Sequence, residues 1–326
     1  MRLGKLSMNL IERSFYKQRD ITFYSKCQQQ VLAKRFFPSY MTKIKYVVNA
    51  LYDIHPRLSF LLIIKLLSVA IRGKLSRNAK VFYKSGLKKQ FIVEGSTFFT
   101  YTYGNGPLIL MLHGWCSNGA RWRVYVKDLV NSGYRVVVVD APGHGAAPGR
   151  FLSVFHYTKG IKVILESETK WHTIITHSIA GLCAMAALGK SDKKHHPSKF
   201  IMMNTFANVT RIFETFSCCL GISRKVVEGA IDMMSKSLEF PIHELNIAKH
   251  YQKINAKCLL IYDTDDKVVP RCEADYLINE MKSLTVVKTE GLGHNLKSHD
   301  VVKQVLTFVN RKMYDTLSLE KIALCK

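Results

Sequence analysis

Ser178 lies in the run Thr176-His177-Ser178-Ile179-Ala180-Gly181, where the apolar strand pattern TIITH passes directly into the helical pattern AGLCAMAAL. A serine hydroxyl attacks a carbonyl only when a neighbouring base takes its proton, and a sharp strand-to-helix turn is the backbone that presents such a serine. That turn wants small residues two before and two after the serine. Thr176 and Ala180 stand there, and β-branched Thr176 is the larger departure. Three further turns supply what a lone serine lacks. LILMLHGW, residues 108–115, is a strand pattern ending in His-Gly, the form of a loop whose N–H groups face a developing oxyanion, with Trp115 and Ile179 as donors. LLIYDTDDKVVP, residues 259–270, ends a strand in a carboxylate-rich turn, and GLGH, residues 291–294, presents His294 after the next strand. Each chemical group follows the carboxyl end of a strand, in the order serine, carboxylate, histidine, unlike the orders of the chymotrypsin and subtilisin folds.

The elements that must hold these turns are legible from residue 80 onward. Strand patterns fall at 98–103, 108–112, 135–140, 172–176, 199–203, 257–262 and 284–289, with helical patterns at 120–131, 155–168, 180–189, 272–281 and 300–311. Runs such as VVVVD and LLIYD are apolar without alternation, as expected of strands covered on both faces. This alternation predicts an α/β fold with a mostly parallel, doubly wound sheet. Residues 206–254 break it with two or three helical patterns and no strand, which predicts a helical lid inserted between two strands.

The series HGW, DAPGHG (140–145), HSIAG, DTDDKVVP and GLGH resembles that of the α/β-hydrolase superfamily over roughly residues 90–312. In particular it is similar to bacterial α/β-fold hydrolases that follow DAPGHG with small residues and Gly-Arg, as in AAPGR here. The resemblance implies a serine hydrolase with Ser178 as nucleophile, His294 as base and Asp266 as the acid that orients it. It prefers Asp266 over the adjoining Asp265 because Asp266-Lys-Val-Val-Pro270 falls at the family's acid position. The departures are Thr176, and Asp263 where many relatives have glycine. A serine nucleophile also separates the chain from dehalogenase and epoxide-hydrolase relatives, which carry aspartate there.

The expected reaction is hydrolysis of a small-molecule carboxylic ester or thioester through an acyl-enzyme, which calls for no cofactor. His113 is read mainly as shaping the oxyanion loop and secondarily as touching substrate. Phe206 is a candidate wall of an acyl pocket, with Phe213, Phe216, Met233 and Met234, although helix packing explains such residues more often. His144 is read as a structural residue of its turn, and Cys116 as a bystander beside Trp115. His195 and His196 lack a third ligand at metal spacing, so no metal is expected. The competing reading is a catalytically weak scaffold of the same fold acting as a membrane-associated binding protein, favoured by Thr176 and by the basic front of the chain.

That front is distinctive. Of the +24 formal charge, residues 1–89 contribute 19 basic and 3 acidic residues, a net +16. Residues 1–79 read as a basic, helical extension ahead of a hydrolase domain at 80–326. The segment Leu58–Ile71, LSFLLIIKLLSVAI, is 14 residues long and interrupted by Lys65, too short to cross a bilayer whose hydrocarbon needs about 20 residues. As one helix it would place Lys65, Ser68 and Arg72 on a narrow polar stripe opposite a broad apolar face. Basic charge beside an apolar face predicts peripheral attachment to an anionic membrane, the alternative being a helix packed on the core. No nucleic-acid motif accompanies the charge, and nucleic acid is not an expected partner. Eight cysteines without metal or C-x-x-C spacing, and a charged start unlike a secretory signal, predict a cytoplasmic location at the inner face of the membrane.

Overall fold

In the computed structural model the described residues are 39–237 and 242–311. Residues 1–38, 238–241 and 312–326, with Cys27 and Cys325, lie outside them.

Eight strands form one sheet in the order β1-β2-β4-β3-β5-β6-β7-β8: Leu87–Val93, Ser96–Tyr103, Arg135–Asp140, Leu108–Leu112, Thr173–His177, Lys199–Met203, Lys257–Asp263 and Leu284–Thr289. β1 and β2 form an antiparallel hairpin, and β2 meets β4 antiparallel; all other pairings are parallel. The mostly parallel, doubly wound sheet is thus present, with an edge strand that the sequence pattern does not signal. β1, LKKQFIV, is exposed at its first four positions and so carries lysines, which discourage edge-to-edge pairing, in place of an apolar alternation.

The inner strands bury both faces. In β3, Leu110 and Leu112 face one apolar cluster, while Ile109 and Met111 face the other; Val137 and Val139 of β4 divide from Val136 and Val138 in the same way. The helices ahead of β1 are α1 (Ser39–Ile54), α2 (Pro56–Leu67) and α3 (Arg77–Ser85). Those of the sheet layers are α4 (Arg123–Asn131), α5 (Val154–Glu166) and α6 (Ile179–Leu188), then, after the lid, α10 (Arg271–Glu280) and α11 (His299–Asn310). Apolar positions of α5, α6 and α10 join the first cluster, and those of α4 and α11 join the second. α6 is buried along its length after Ile179, which its all-apolar sequence requires.

Between β6 and β7 the chain forms α7 (Val209–Leu220), α8 (Arg224–Ser237) and the short α9 (Ile247–Tyr251). The stem of this insertion closes where Asn208 bridges Asn246: Val209 N–H donates to Leu245 O (3.1 Å) and Ile247 N–H to Ala207 O (2.9 Å).

The helix read over Leu58–Ile71 ends at Leu67, so the polar stripe of Lys65, Ser68 and Arg72 does not form. After the C-cap Ser68 the chain runs beside the segment that follows DAPGHG. Val69 bridges Phe151, Leu152 N–H donates to Ser68 O and Ala70 N–H to Arg150 O, both at 2.8 Å. The Arg72 guanidinium donates to the carbonyls of Gly143 (3.3 Å), Ala147 and Gly149. The AAPGR run is therefore the ledge on which the extension docks, and this fixes the end of α2 beside the sheet's carboxyl edge. Farther along, Ser59 of α2 donates to Val48 O of α1 (2.7 Å), and Phe60 and Tyr52 place their rings 5.9 Å apart inside the helix pair.

Candidate active site

Ser178 sits between the end of β5 and the start of α6 with φ 58° and ψ −131°, a strained conformation for a residue with a side chain. Backbone bonds hold it from three sides: its N–H donates to Met203 O (2.9 Å), and its carbonyl accepts from Gly181 N–H (3.1 Å) and the Thr205 hydroxyl (2.9 Å). Thr176, the imperfect residue of the motif, is fully buried, and its hydroxyl donates to Ile201 O at 2.9 Å on the neighbouring strand. Its extra bulk is accommodated because glycine stands at 181: a Cβ there would run into the Thr205 hydroxyl and come within 3.2 Å of Thr176 Oγ1. The small residue that this turn needs is displaced by one position.

The candidate base, His294, is carried by a short turn after β8. His294 Nδ1 lies 2.8 Å from Asp266 Oδ2, and both side chains are almost wholly buried. Since the carboxylate only accepts, Nδ1 carries the proton and Nε2 is left as the basic nitrogen. The other Asp266 oxygen accepts from Val268 N–H (2.7 Å) and Val269 N–H (3.1 Å), which fixes the carboxylate plane. Asp265 points elsewhere, accepting Gly291 N–H at 3.0 Å.

The His294 turn is gripped by residues that the sequence pattern does not reveal. Asp263, 2% exposed, accepts from the N–H groups of Asp265, Leu292 and Gly293, each at 3.0 Å, and from the Thr289 hydroxyl at 2.8 Å. Asn204 accepts Asp263 N–H (2.9 Å) and donates to the carbonyls of Gly293 (3.1 Å) and His294 (3.2 Å). His177 donates from Nε2 to the His294 carbonyl at 2.7 Å. The unusual aspartate at 263 was a signal in the sequence, but its partners lie some 30 residues away and only the fold joins them.

Opposite the serine, the His113-Gly114-Trp115 loop approaches so closely that a Cβ on Gly114 would lie 2.8 Å from Ser178 Cβ. His113 does not line the cavity. Its Nε2 accepts Ala141 N–H (3.1 Å), its Nδ1 donates to Gly114 O (2.7 Å), and its carbonyl accepts the Tyr157 hydroxyl (2.8 Å). The substrate contact read for His113 is therefore replaced by loop support. His144 does the same one residue farther on: Nε2 accepts Cys116 N–H at 3.0 Å while Nδ1 donates to Pro142 O at 2.9 Å. Burial pushes His113 down to about 4 and His144 down to about 3, so both remain neutral acceptors at physiological pH. Burial likewise pushes the Cys116 thiol up to about 12, which leaves it unreactive as a thiolate.

One cavity joins these parts. Ser178, Ile179, His294 and Trp115 line it together with Phe206, Phe213, Phe216 and Met234 of the lid region. Trp115 packs edge-on against Phe216 at 5.3 Å. Ile179 opens α6, so its N–H has no earlier turn of helix to bond and stands at the positive end of the helix dipole. Met233 is not part of the wall. Ile64, Leu67 and Ser68 of the extension are, as are Leu152 and Phe155. No group of three or more metal-ligating side chains occurs among the described residues.

This architecture defines the class: the chain is an α/β-hydrolase-fold protein. Residues 107–217 match the family model described as alpha/beta hydrolase fold. Among curated proteins it is similar to the pimeloyl-[acyl-carrier protein] methyl ester esterase of Aeromonas salmonicida, 34% identical over 97 residues, which cover 28% of this chain and 37% of that one. The Vibrio vulnificus protein of that name is 48% identical over 83 residues, 26% and 31% of the two chains. The matches thus span well under two thirds of these relatives. Similar solved structures include an esterase from Rhodococcus sp., with TM-score 0.54 and 16% identity over 69% of this chain and 98% of that one. A lipase-like structure from Acinetobacter baumannii also has TM-score 0.54, with 15% identity over 73% and 97%.

Proposed function

We propose that the protein is a serine hydrolase that cleaves a carboxylic ester or thioester with an apolar acyl group. The observation that carries this reading is the meeting, in one apolar cavity, of a serine at positive φ with a histidine whose far nitrogen is held by a buried carboxylate. Ser178 Oγ attacks the acyl carbonyl as His294 Nε2 takes its proton, and the carbonyl oxygen gains negative charge between the N–H groups of Trp115 and Ile179. Asp266 stabilises the resulting imidazolium and keeps its tautomer. When the tetrahedral intermediate collapses, the carbon–oxygen or carbon–sulfur bond to the leaving group breaks, and His294 returns the proton to it. Water then attacks the acyl-enzyme by the same route, releasing acid and free serine. The names of the curated relatives support an acyl ester as substrate class.

The decisive experiment is labelling of the purified chain with a fluorophosphonate, beside a chain-length series of p-nitrophenyl esters and acyl thioesters. Labelling that vanishes in Ser178→Ala, with matching loss of turnover, supports the hydrolase. An unlabelled Ser178 would instead favour a scaffold of this fold without turnover. We also propose that the protein works at the cytoplasmic face of an anionic membrane, a reading supported by the net +16 of residues 1–89. No helix among the described residues is long and apolar enough to cross a membrane.

A further inference from the structure

The two sides of α2 have different tasks. Its inward side, through Ile64 and Leu67, walls the cavity that holds Ser178, while Ser59, Ile63 and Leu66 are buried. Its outward side presents Leu58 and Leu61 at about half exposure, followed by Lys65, whose ammonium sits 5.7 Å from the ring of the exposed Phe151. At the α1–α2 corner Ile54 is 82% exposed, and α1 adds Tyr46 and Val47 at 69% and 56%. Single exposed apolar residues are ordinary; six large ones on one helix pair and its docking ledge are not. Lys43, Arg57 and Lys65 are exposed among them, against the single carboxylate Asp53.

We propose that this outward face of the α1–α2 hairpin docks on an anionic lipid bilayer, with Ile54, Leu58 and Leu61 entering the acyl boundary and Arg57 and Lys65 meeting lipid phosphates. The proposal rests on the membrane reading above and names the surface responsible. Charge decides between a bilayer and other occupants: apolar side chains interleaved with cations, on the most basic part of the chain, complement a surface that is apolar beneath and anionic at its rim. A second copy of the hairpin would bring like charges together. Seating α2 on lipid also sets the cavity wall against the phase in which apolar acyl groups reside. Residues 68–72 tie that wall to the loop after β4 through Arg72 and the Val69–Phe151 bridge.

The test compares the full chain with Ile54→Glu/Leu58→Glu/Leu61→Glu, changed only at exposed positions outside the cavity wall. Both are sedimented with vesicles of phosphatidylcholine alone or mixed with phosphatidylserine, at low and high salt. The parent is expected to partition onto the mixed vesicles and to release with salt, and the variant to partition about tenfold less. Fluorophosphonate labelling of Ser178, in solution, is expected to be equal in the two. Equal partitioning of parent and variant, including binding carried by the basic segment alone, overturns the docking face. So does an absence of binding by the parent, or a parent that is dimeric by light scattering and becomes monomeric in the variant. Loss of labelling in both chains would count against the hydrolase reading and leave the partitioning result standing.

Discussion

The Asp263 carboxylate accepts the Gly293 N–H at 3.0 Å, one residue ahead of His294. Because the same carboxylate also takes Leu292 N–H and the Thr289 hydroxyl, it fixes the turn that carries His294. Asp263→Asn keeps the size but puts an amide donor against two backbone donors. We expect kcat to fall about tenfold to a hundredfold with little change in KM, together with a loss of about 1–3 kcal/mol in unfolding free energy. Steady-state kinetics and urea unfolding measure both; an unaltered kcat in a destabilised protein would reduce Asp263 to a purely structural residue.

Adjacent carboxylates have separate tasks. Asp266 meets His294 at 2.8 Å, whereas Asp265 serves Gly291 N–H at the edge of the loop. Asp266→Asn reverses the tautomer preference of the imidazole and is expected to cost about 10³–10⁴ in kcat. Asp265→Asn is expected to cost less than about tenfold, since it loosens one exposed bond. If ester hydrolysis ranks the two variants the other way round, Asp265 is the acid.

How much of this was readable beforehand depends on the range of the forces involved. The serine, His-Gly-Trp and histidine turns are local motifs, and the inner strands β3 to β7 carry apolar runs because the sheet there is covered on both faces. β1 escaped because an exposed lysine-bearing edge strand has no apolar signature. Thr176 looked like a defect because compensation by Gly181 is a relation across the turn, seen only when Thr205 stands beside both. The same holds for α2: its apolar run announces a face to be covered, but neither the lid on one side nor the Arg72 clamp at its end can be inferred from spacing.

Acid should loosen the fold before the carboxylates of the unfolded chain titrate. Burial holds His113 at about 4 and His144 at about 3, and burial is also the main cause that lowers His172, His177 and His250. A depressed histidine contributes stability above its unfolded value near 6.5, and that contribution is lost as pH falls toward the folded value. Buried Glu273, pushed up to about 7, acts in the opposite sense, as do Asp140 and Glu214, which burial raises. The depressed histidines outnumber the raised carboxyls, so unfolding is expected to take up protons and stability to fall as pH is lowered from about 6.5 toward about 5. Urea midpoints across that range test it. A flat profile would mean that these rings are not held neutral by burial.

Gly114 governs how near the His113-Gly114-Trp115 loop can come to Ser178. A methyl at this position would lie 2.8 Å from Ser178 Cβ and 3.1 Å from His177 Nδ1, so Gly114→Ala must push the loop away from the serine. If the Trp115 N–H is an oxyanion donor, as proposed, this displacement is expected to reduce kcat about 10²–10³-fold. KM should change far less, because the apolar wall lies on the lid side. Unchanged turnover in a folded Gly114→Ala protein would show that the loop supplies no donor.

If α2 walls the acyl pocket, its inward residues should set chain-length preference although they lie far from the motifs in sequence. Ile64 and Leu67 line the cavity with Leu152, Phe155 and Phe213, and Ser178 and His294 line the same space. Ile64→Phe adds volume to that wall without touching the reacting atoms, and Ile64→Ala removes it. In a series of p-nitrophenyl esters from acetate to decanoate, the larger side chain is expected to lower kcat/KM for the long esters about tenfold while leaving acetate near the parent value. The alanine variant should shift the optimum toward longer chains, since each additional buried methylene is worth about 0.8 kcal/mol. A uniform change across the series would indicate altered stability or a displaced serine turn, and would remove α2 from the acyl-binding wall.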